Sequence, residues 1–312
     1  MKTTISSLLF LSFILAACQP DANSSLSSAS SNTSVSETSS VSSTSSTLSP
    51  IVELNNVLYG NEERQVLEVA YERGKTEVSP AVLFIHGGSW ISGDKSMMRR
   101  YREQIIDAGY VYISMNYRFI TSGATYLDML DDISLVLQFI YDYAEDLTVD
   151  PSQIALVGES AGAHLALLYS YRNTSVIPIR FVMALVPPVN FTDPSYITFG
   201  DPMIQLFLAN GLMGTDVLSP DVIMEDGYPL SWIDASPISH LGDAIPTLIG
   251  YAGIDELIPL SNMESFLEEA DQLDAPVETF FFPNSGHSLE NDPLVLNNLL
   301  NRFFEYFALY FI

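Results

Sequence analysis

Apolar and polar positions change their pattern near residue 51 of the 312-residue chain. From there to the C terminus, short apolar runs alternate with stretches of helical spacing. The runs at 66–71, 81–85, 110–115, 154–157, 181–186, 247–252 and 277–282 predict strands. Between them the spacing predicts helices over 95–108, 125–146, 161–171, 260–273 and 293–309. In the second of these, Leu127, Leu130, Ile133, Val136, Leu137 and Ile140 fall on one helical stripe. Strands and helices in alternation imply an α/β fold, with a mostly parallel sheet covered on both faces. The interval 187–236 breaks the rhythm with prolines at 187, 188, 194, 202, 220 and 229, and is expected to form a small cap insertion over the sheet edge. The strongly apolar 303–312 carries Glu305 and follows Arg302, so a helix packed on the core is expected rather than a membrane span.

Residues 21–49 are almost wholly Ser, Thr, Asn and Ala. Such a stretch buries too little surface to offset its ordering entropy, so 18–50 is expected to be a disordered tether. Ahead of it, Met1-Lys2 and the apolar 5–17 read as a signal peptide over 1–17, too short for a lasting span. It ends in Leu15-Ala16-Ala17-Cys18, which resembles a bacterial lipoprotein lipobox. That resemblance implies cleavage before Cys18, diacylation of its thiol and a lipid anchor on the extracytoplasmic face of the cell membrane. Cys18 is the only cysteine, so no internal disulfide can form. The folded domain is then 51–312, cap included.

With 12 Lys and Arg against 38 Asp and Glu, the net charge is −26. Nucleic acid needs a basic footprint and is excluded as a partner. No group of His, Cys and acidic residues has ligand spacing, so neither a metal nor a cofactor is expected. Nothing in the pattern addresses oligomeric state.

The chemistry gathers at the ends of predicted strands. Gly158-Glu159-Ser160-Ala161-Gly162 fits G-x-S-x-G, a pattern that a chain of this length contains by chance roughly one time in ten. Its setting is more specific. Ser160 directly follows the strand 154–157 and directly precedes a helix, the strand–turn–helix context of a nucleophile elbow. The backbone N–H of Ala161, at that helix start, is placed to meet developing negative charge. His86-Gly87-Gly88-Ser89-Trp90 ends another strand, and its Gly87, Gly88 and Ser89 N–H groups are candidate partners of Ala161 in an oxyanion hole. His86 itself is expected to orient this loop.

Four histidines could serve Ser160 as base. His164 lies one helical turn beyond it and should pack beneath the elbow; His240 has no evident orienting partner. His287, in a loop after the strand 277–282, lies where parallel sheets place reactive groups. Two adjacent acids, Asp255 and Glu256, follow the strand 247–252, and either could orient the histidine.

Together Gln65-Val66-Leu67-Glu68-Val69, HGGSW with Gly93-Asp94-Lys95, Asn116-Tyr117-Arg118, GESAGAHLAL, Ser236-Pro237-Ile238 with Pro246-Thr247-Leu248, DELIP and SGH resemble an α/β-hydrolase carboxylesterase of the hormone-sensitive-lipase-like or feruloyl-esterase-like branch. The similarity runs over roughly 59–290. It implies the α/β-hydrolase fold and a serine ester hydrolase acting on a small-molecule ester, with Ser160, Asp255 and His287 as the triad, because the order Ser, Asp, His is that of the fold. Two positions depart from the pattern: Gly250-Tyr251-Ala252-Gly253 where relatives usually carry His-Gly, and Ser89 where a third glycine is common. HGGSW also resembles the HGG-x-W motif of kynurenine formamidases, which implies an amide-cleaving alternative. A catalytically silent surface binding protein on the same fold is the rival outside enzymes. The proline-rich cap implies short, acetyl-type acyl groups.

Overall fold

The computed structural model describes residues 50–172 and 175–311; the 1–17 signal peptide, Cys18 and all but the last residue of the 18–50 tether lie outside them. Strands β1 (Ile51–Leu58), β2 (Val66–Glu72), β3 (Ser79–Ile85), β4 (Val111–Met115), β5 (Val149–Glu159), β6 (Ile179–Leu185), β7 (Thr247–Ala252) and β8 (Val277–Phe282) form one sheet in the order β1-β2-β4-β3-β5-β6-β7-β8. β2 is antiparallel to β1 and β4, and every other neighbouring pair is parallel. The helices are α1 (Arg102–Asp107), α2 (Tyr126–Asp142), α3 (Ala161–Tyr171), α4 (Pro194–Thr198), α5 (Pro202–Met213), α6 (Pro220–Asp226), α7 (Leu230–Asp234), α8 (Leu260–Gln272) and α9 (Pro293–Tyr310).

The central strands are buried on both faces and divide their side chains between two cores with the period of two that a strand imposes. Leu83, Ile113 and Leu156 face Ile133, Leu165 and Phe266 of α2, α3 and α8. Phe84, Val157 and Phe181 face the other way, onto Ile105 of α1 and Phe303 and Phe307 of α9. The apolar C-terminal run is thus a core helix, and no described helix is long and apolar enough to cross a membrane. The whole is an α/β-hydrolase fold.

Several elements differ from the pattern-based expectation. β1 was not anticipated: it is a half-exposed edge strand with Asn55 and Asn56 beside a register shift, held by its pairing with β2 rather than by burial. The helix expected over 95–108 is a 3₁₀ segment, Lys95–Tyr101, followed by α1. α2 stops at Asp142, where turns carry the chain back into β5. β5 starts earlier than 154, because Val149 still pairs with Ser79 before a register shift around Asp150-Pro151. Between β6 and β7 the prolines that disturb the periodicity are helix starts. Pro194, Pro202 and Pro220 occupy first-turn positions behind Asp193, Asp201 and Ser219, and the two aspartates accept hydrogen bonds from Ser195 N and Met203 N at 2.8 and 2.9 Å. Proline suits the first turn because its missing N–H has no partner there anyway.

Phe307 is the centre of the α9 core, with ring centroids 4.3 Å from Tyr110, 4.8 Å from Phe303 and 5.4 Å from Phe181. Phe307→Ala should therefore destabilise the protein by about 3–5 kcal/mol. Urea unfolding followed by circular dichroism checks this; an unchanged midpoint would mean that α9 does not carry the core.

Candidate active site

Ser160 is the residue between β5 and α3, and its backbone is forced to φ 51°, ψ −119°. A non-glycine residue pays for a positive φ, so the surroundings must hold it. They do so by close backbone contact. A Cβ at Gly162 would collide with the carbonyl of Ile85 at the end of β3, and one at Gly158 would collide with the carbonyl of Gly162. Ser160 N–H donates to Leu185 O at 2.8 Å and Ser160 O accepts from His164 N at 3.0 Å, pinning the turn on both sides.

His287 follows β8, and its Nε2 lies 2.8 Å from Ser160 Oγ. Its Nδ1 faces both oxygens of Asp255, at 3.0 and 2.8 Å. Asp255 Oδ1 also accepts from the backbone N–H groups of Leu257 and Ile258 at 2.8 and 2.9 Å, so its carboxylate is aimed by its own loop. Glu256, the competing acid, accepts instead from the His287 backbone N–H at 3.1 Å and supports the loop, not the ring. The three side chains named from the sequence are therefore in one hydrogen-bonded chain.

The loop after β3 lies against the elbow. A Cβ at Gly87 would stand 3.0 Å from Glu159 O and 3.2 Å from Ser160 Cβ, tighter than ordinary contact. Gly88 takes φ +119°, and its carbonyl accepts from Ile91 N and Ser92 N at 3.1 and 3.0 Å. Because the peptide is planar and trans, the Ser89 N–H points opposite that carbonyl. Ser89, Trp90, Ser160 and Ala161 line one pocket, closed by Pro188, Tyr196, Ile204, Gln205 and Leu208 from the β6–β7 interval and by Leu257 and Ile258. Its cavity volume is about 30 Å³. Of the last seven, Leu257 and Ile258 fall in DELIP and Pro188 among the prolines of 187–236, but nothing in the sequence marks them as pocket lining. Tyr196, Ile204, Gln205 and Leu208 carry no motif, because what brings them there is the tertiary placement of α4 and α5.

The remaining histidines hold structure. His86 is fully buried, stacks on Tyr117 at 4.5 Å and sits 2.6 Å from Gly87 O through Nδ1 and 3.3 Å from Arg64 through Nε2. Arg64, also missed, lies 3.6 Å over the Phe119 ring and donates to Tyr117 O and Gly93 O at 2.8 and 3.2 Å. Burial pushes His86 down to about 4. His164 packs beneath the elbow between Trp90 and Phe191, bonds Ala235 O at 2.8 Å, and is likewise pushed down to about 4 by burial. His240 has a partner after all, Asp234 O at 2.8 Å. Asp94 and Asn116, from the GDK and NYR motifs, bridge the loops after β3 and β4 at 2.9 Å. Burial would raise the Asp94 carboxyl, but hydrogen bonds from Ser96 and Asn116 outweigh it and hold it well below its usual range.

The sequence profile of the BD-FAE family matches residues 67–269. An isoprenylcysteine alpha-carbonyl methylesterase of Arabidopsis thaliana is 31% identical over 254 residues, covering 77% of this chain and 58% of its own length. A kynurenine formamidase of Drosophila melanogaster is 32% identical over 114 residues, 36% of this chain and 37% of its own. The chain thus spans less than two thirds of the length of these relatives. Among solved structures, esterase B from Lactobacillus rhamnosis shares the fold with a TM-score of 0.67 at 18% identity, covering 84% of this chain and 86% of that one.

His86 and His164 stay neutral in the folded protein well below the ordinary histidine value of 6.5. Between about pH 6.5 and 4 the unfolded chain binds protons that the folded one refuses, so stability is full above that window and falls as pH drops through it. His164→Gln should remove about one of the protons taken up on unfolding near pH 5. Urea unfolding at pH 7, 6 and 5 measures this; an equal decline in the variant and the parent would contradict it.

Proposed function

The chain belongs to the BD-FAE family, and from that premise and the geometry of the site we propose that it is a serine carboxylic-ester hydrolase. The observation that carries this reading is the 2.8 Å contact between Ser160 Oγ and His287 Nε2, on a turn held at positive φ. In the proposed cycle Ser160 Oγ attacks the ester carbonyl while His287 Nε2 takes its proton. Asp255 accepts from Nδ1–H, fixes the tautomer and stabilises the imidazolium. The carbonyl oxygen becomes an oxyanion held by the Ala161 N–H and by donors of the Gly87-Gly88-Ser89 loop. His287 then protonates the departing alcohol, and a water molecule, deprotonated by the same nitrogen, releases the acid from the acyl-enzyme.

The size of the pocket supports short acyl groups. A cavity of about 30 Å³ has room for roughly two waters, and an acyl chain of about two to four carbons displaces a similar number. The rim of the pocket belongs to an interval with Asp193, Asp201, Asp216, Asp221, Glu225, Asp226 and Asp234 and no Lys or Arg, which suits a small soluble ester better than an anionic lipid interface. The likeness to the Drosophila kynurenine formamidase favours one further reading, in which the same residues cleave a small amide. We also propose that a diacylated Cys18 anchors the protein on the extracytoplasmic face of the membrane, with 18–50 as tether.

Ser160→Ala should lower ester turnover by at least about a thousandfold with the fold intact, and His287→Ala should behave alike. A folded Ser160→Ala variant keeping a tenth of the activity would remove the assignment. In a series of p-nitrophenyl esters, kcat/KM should peak at about two to four acyl carbons, since each CH₂ that fits gains about 0.8 kcal/mol and the next one does not fit. A profile still climbing at eight carbons would contradict the small pocket. Parallel assays on N-formyl amides decide between the ester and amide readings. Cys18→Ala should move the protein out of the membrane fraction, and retention there would overturn the anchor.

A further inference from the structure

Two polar side chains that line the pocket, Tyr196 and Gln205, are not used by the proposed cycle. Tyr196, on α4, keeps only 2% of its surface and lines the pocket beside Ser160. Among the described residues no hydrogen bond reaches its hydroxyl, whose titration is raised by burial alone. Its ring is fixed against Phe191 at 5.2 Å. The start of α4 is tied down as well, because Asp193 accepts from Ser195 N at 2.8 Å and from Ser261 Oγ at 2.6 Å. Gln205, on α5, is 8% exposed and lines the same pocket. Its Nε2 donates to Phe199 O at 3.2 Å, and this carbonyl partner fixes which end of the amide is nitrogen. Among the described residues no hydrogen bond reaches the Gln205 side-chain oxygen, which is left as an acceptor. A ligand that excludes water from the pocket without pairing such a donor and acceptor leaves them unsatisfied, so the pocket favours one that pairs both.

A donor and an acceptor held at the wall of one small pocket complement a group that both accepts and donates. A hydroxyl does both. The acyl group is the part of an ester that stays on Ser160 after the alcohol leaves, so it is the part that a small pocket beside Ser160 retains. We infer that this pocket selects acyl groups bearing a hydroxyl on the second or third carbon, with the Tyr196 hydroxyl donating to that oxygen and the Gln205 side-chain carbonyl accepting its proton. The inference rests on the ester-hydrolase reading and deepens it by naming the acid, a short hydroxy acid. Tyr196 and Gln205 are specificity-determining residues in this account, and the covalent steps are those already given.

The test compares matched ethyl esters with the full chain in a pH-stat: lactate against propionate, and 3-hydroxybutyrate against butyrate. In at least one pair the hydroxylated ester should be preferred in kcat/KM by about tenfold or more, and Tyr196→Phe and Gln205→Met should each reduce that preference to below about twofold. The ratio is the readout, because a variant that folds poorly lowers both members of a pair together. A preference below about twofold in both pairs, or one that survives Tyr196→Phe, overturns the inference while leaving ester hydrolysis in place. Failure of the parent chain to hydrolyse any of the four, or p-nitrophenyl acetate, would instead overturn the ester reading and this inference with it.

Discussion

Where β5 turns into α3, the backbone of the elbow lies against the end of β3 with no space for a side chain between them. Gly162 meets the Ile85 and His86 carbonyls, Gly158 meets Gly162, and Gly87 meets Glu159 and Ser160. That contact lets the pairing of adjacent parallel strands β3 and β5 set the distance between the Ser160 hydroxyl and the loop that faces it. It also makes the strain at Ser160 tolerable, since the turn is fixed by neighbours on both sides rather than by its own preference. The parallel strands end at one edge of the sheet, and the residues after β3, β5, β7 and β8 meet there.

Charge and burial are arranged around this contact. His86 supports the Gly87-Gly88-Ser89 loop as a neutral, buried ring, held between Tyr117, Gly87 and Arg64. Glu159, next to Ser160, turns to the opposite side, where Tyr101 donates to it at 2.6 Å and Arg100 pairs with it. The carboxylate nearest in sequence to the serine is thus occupied elsewhere, and Asp255 faces His287 without competition. Leu257 and Ile258 join two tasks: their N–H groups orient Asp255, and the same residues line the pocket. A change of pocket shape on that side would be felt at the carboxylate.

Much of this was legible in the sequence, for identifiable reasons. Central strands are buried on both faces, so 81–85 and 247–252 appear as apolar runs that end where the pattern ends; the edge strand 277–282 is mostly half-buried and shows through Val277 and its phenylalanines. The elbow was legible because glycine is required at fixed offsets from Ser160. β1 was not, since an edge strand needs only backbone pairing and its Asn55-Asn56 reads as a turn. The helices between β6 and β7 were hidden by reading Pro194, Pro202 and Pro220 as breakers, although Asp-Pro and Ser-Pro ahead of apolar residues are also the start signal of a helix. Tyr196 and Gln205 carried no signal at all: their position beside Ser160 exists only once α4 and α5 are folded into place.

The central claim is that Ser160 is a nucleophile activated by His287. Incubation of the full chain with a fluorophosphonate, followed by peptide mass spectrometry, tests it in one experiment because the reagent needs an activated serine hydroxyl. The account predicts a single adduct on the peptide containing Ser160 in the parent chain and none in folded His287→Ala. An unlabelled parent chain, or an adduct on another serine that persists in the variant, would contradict it.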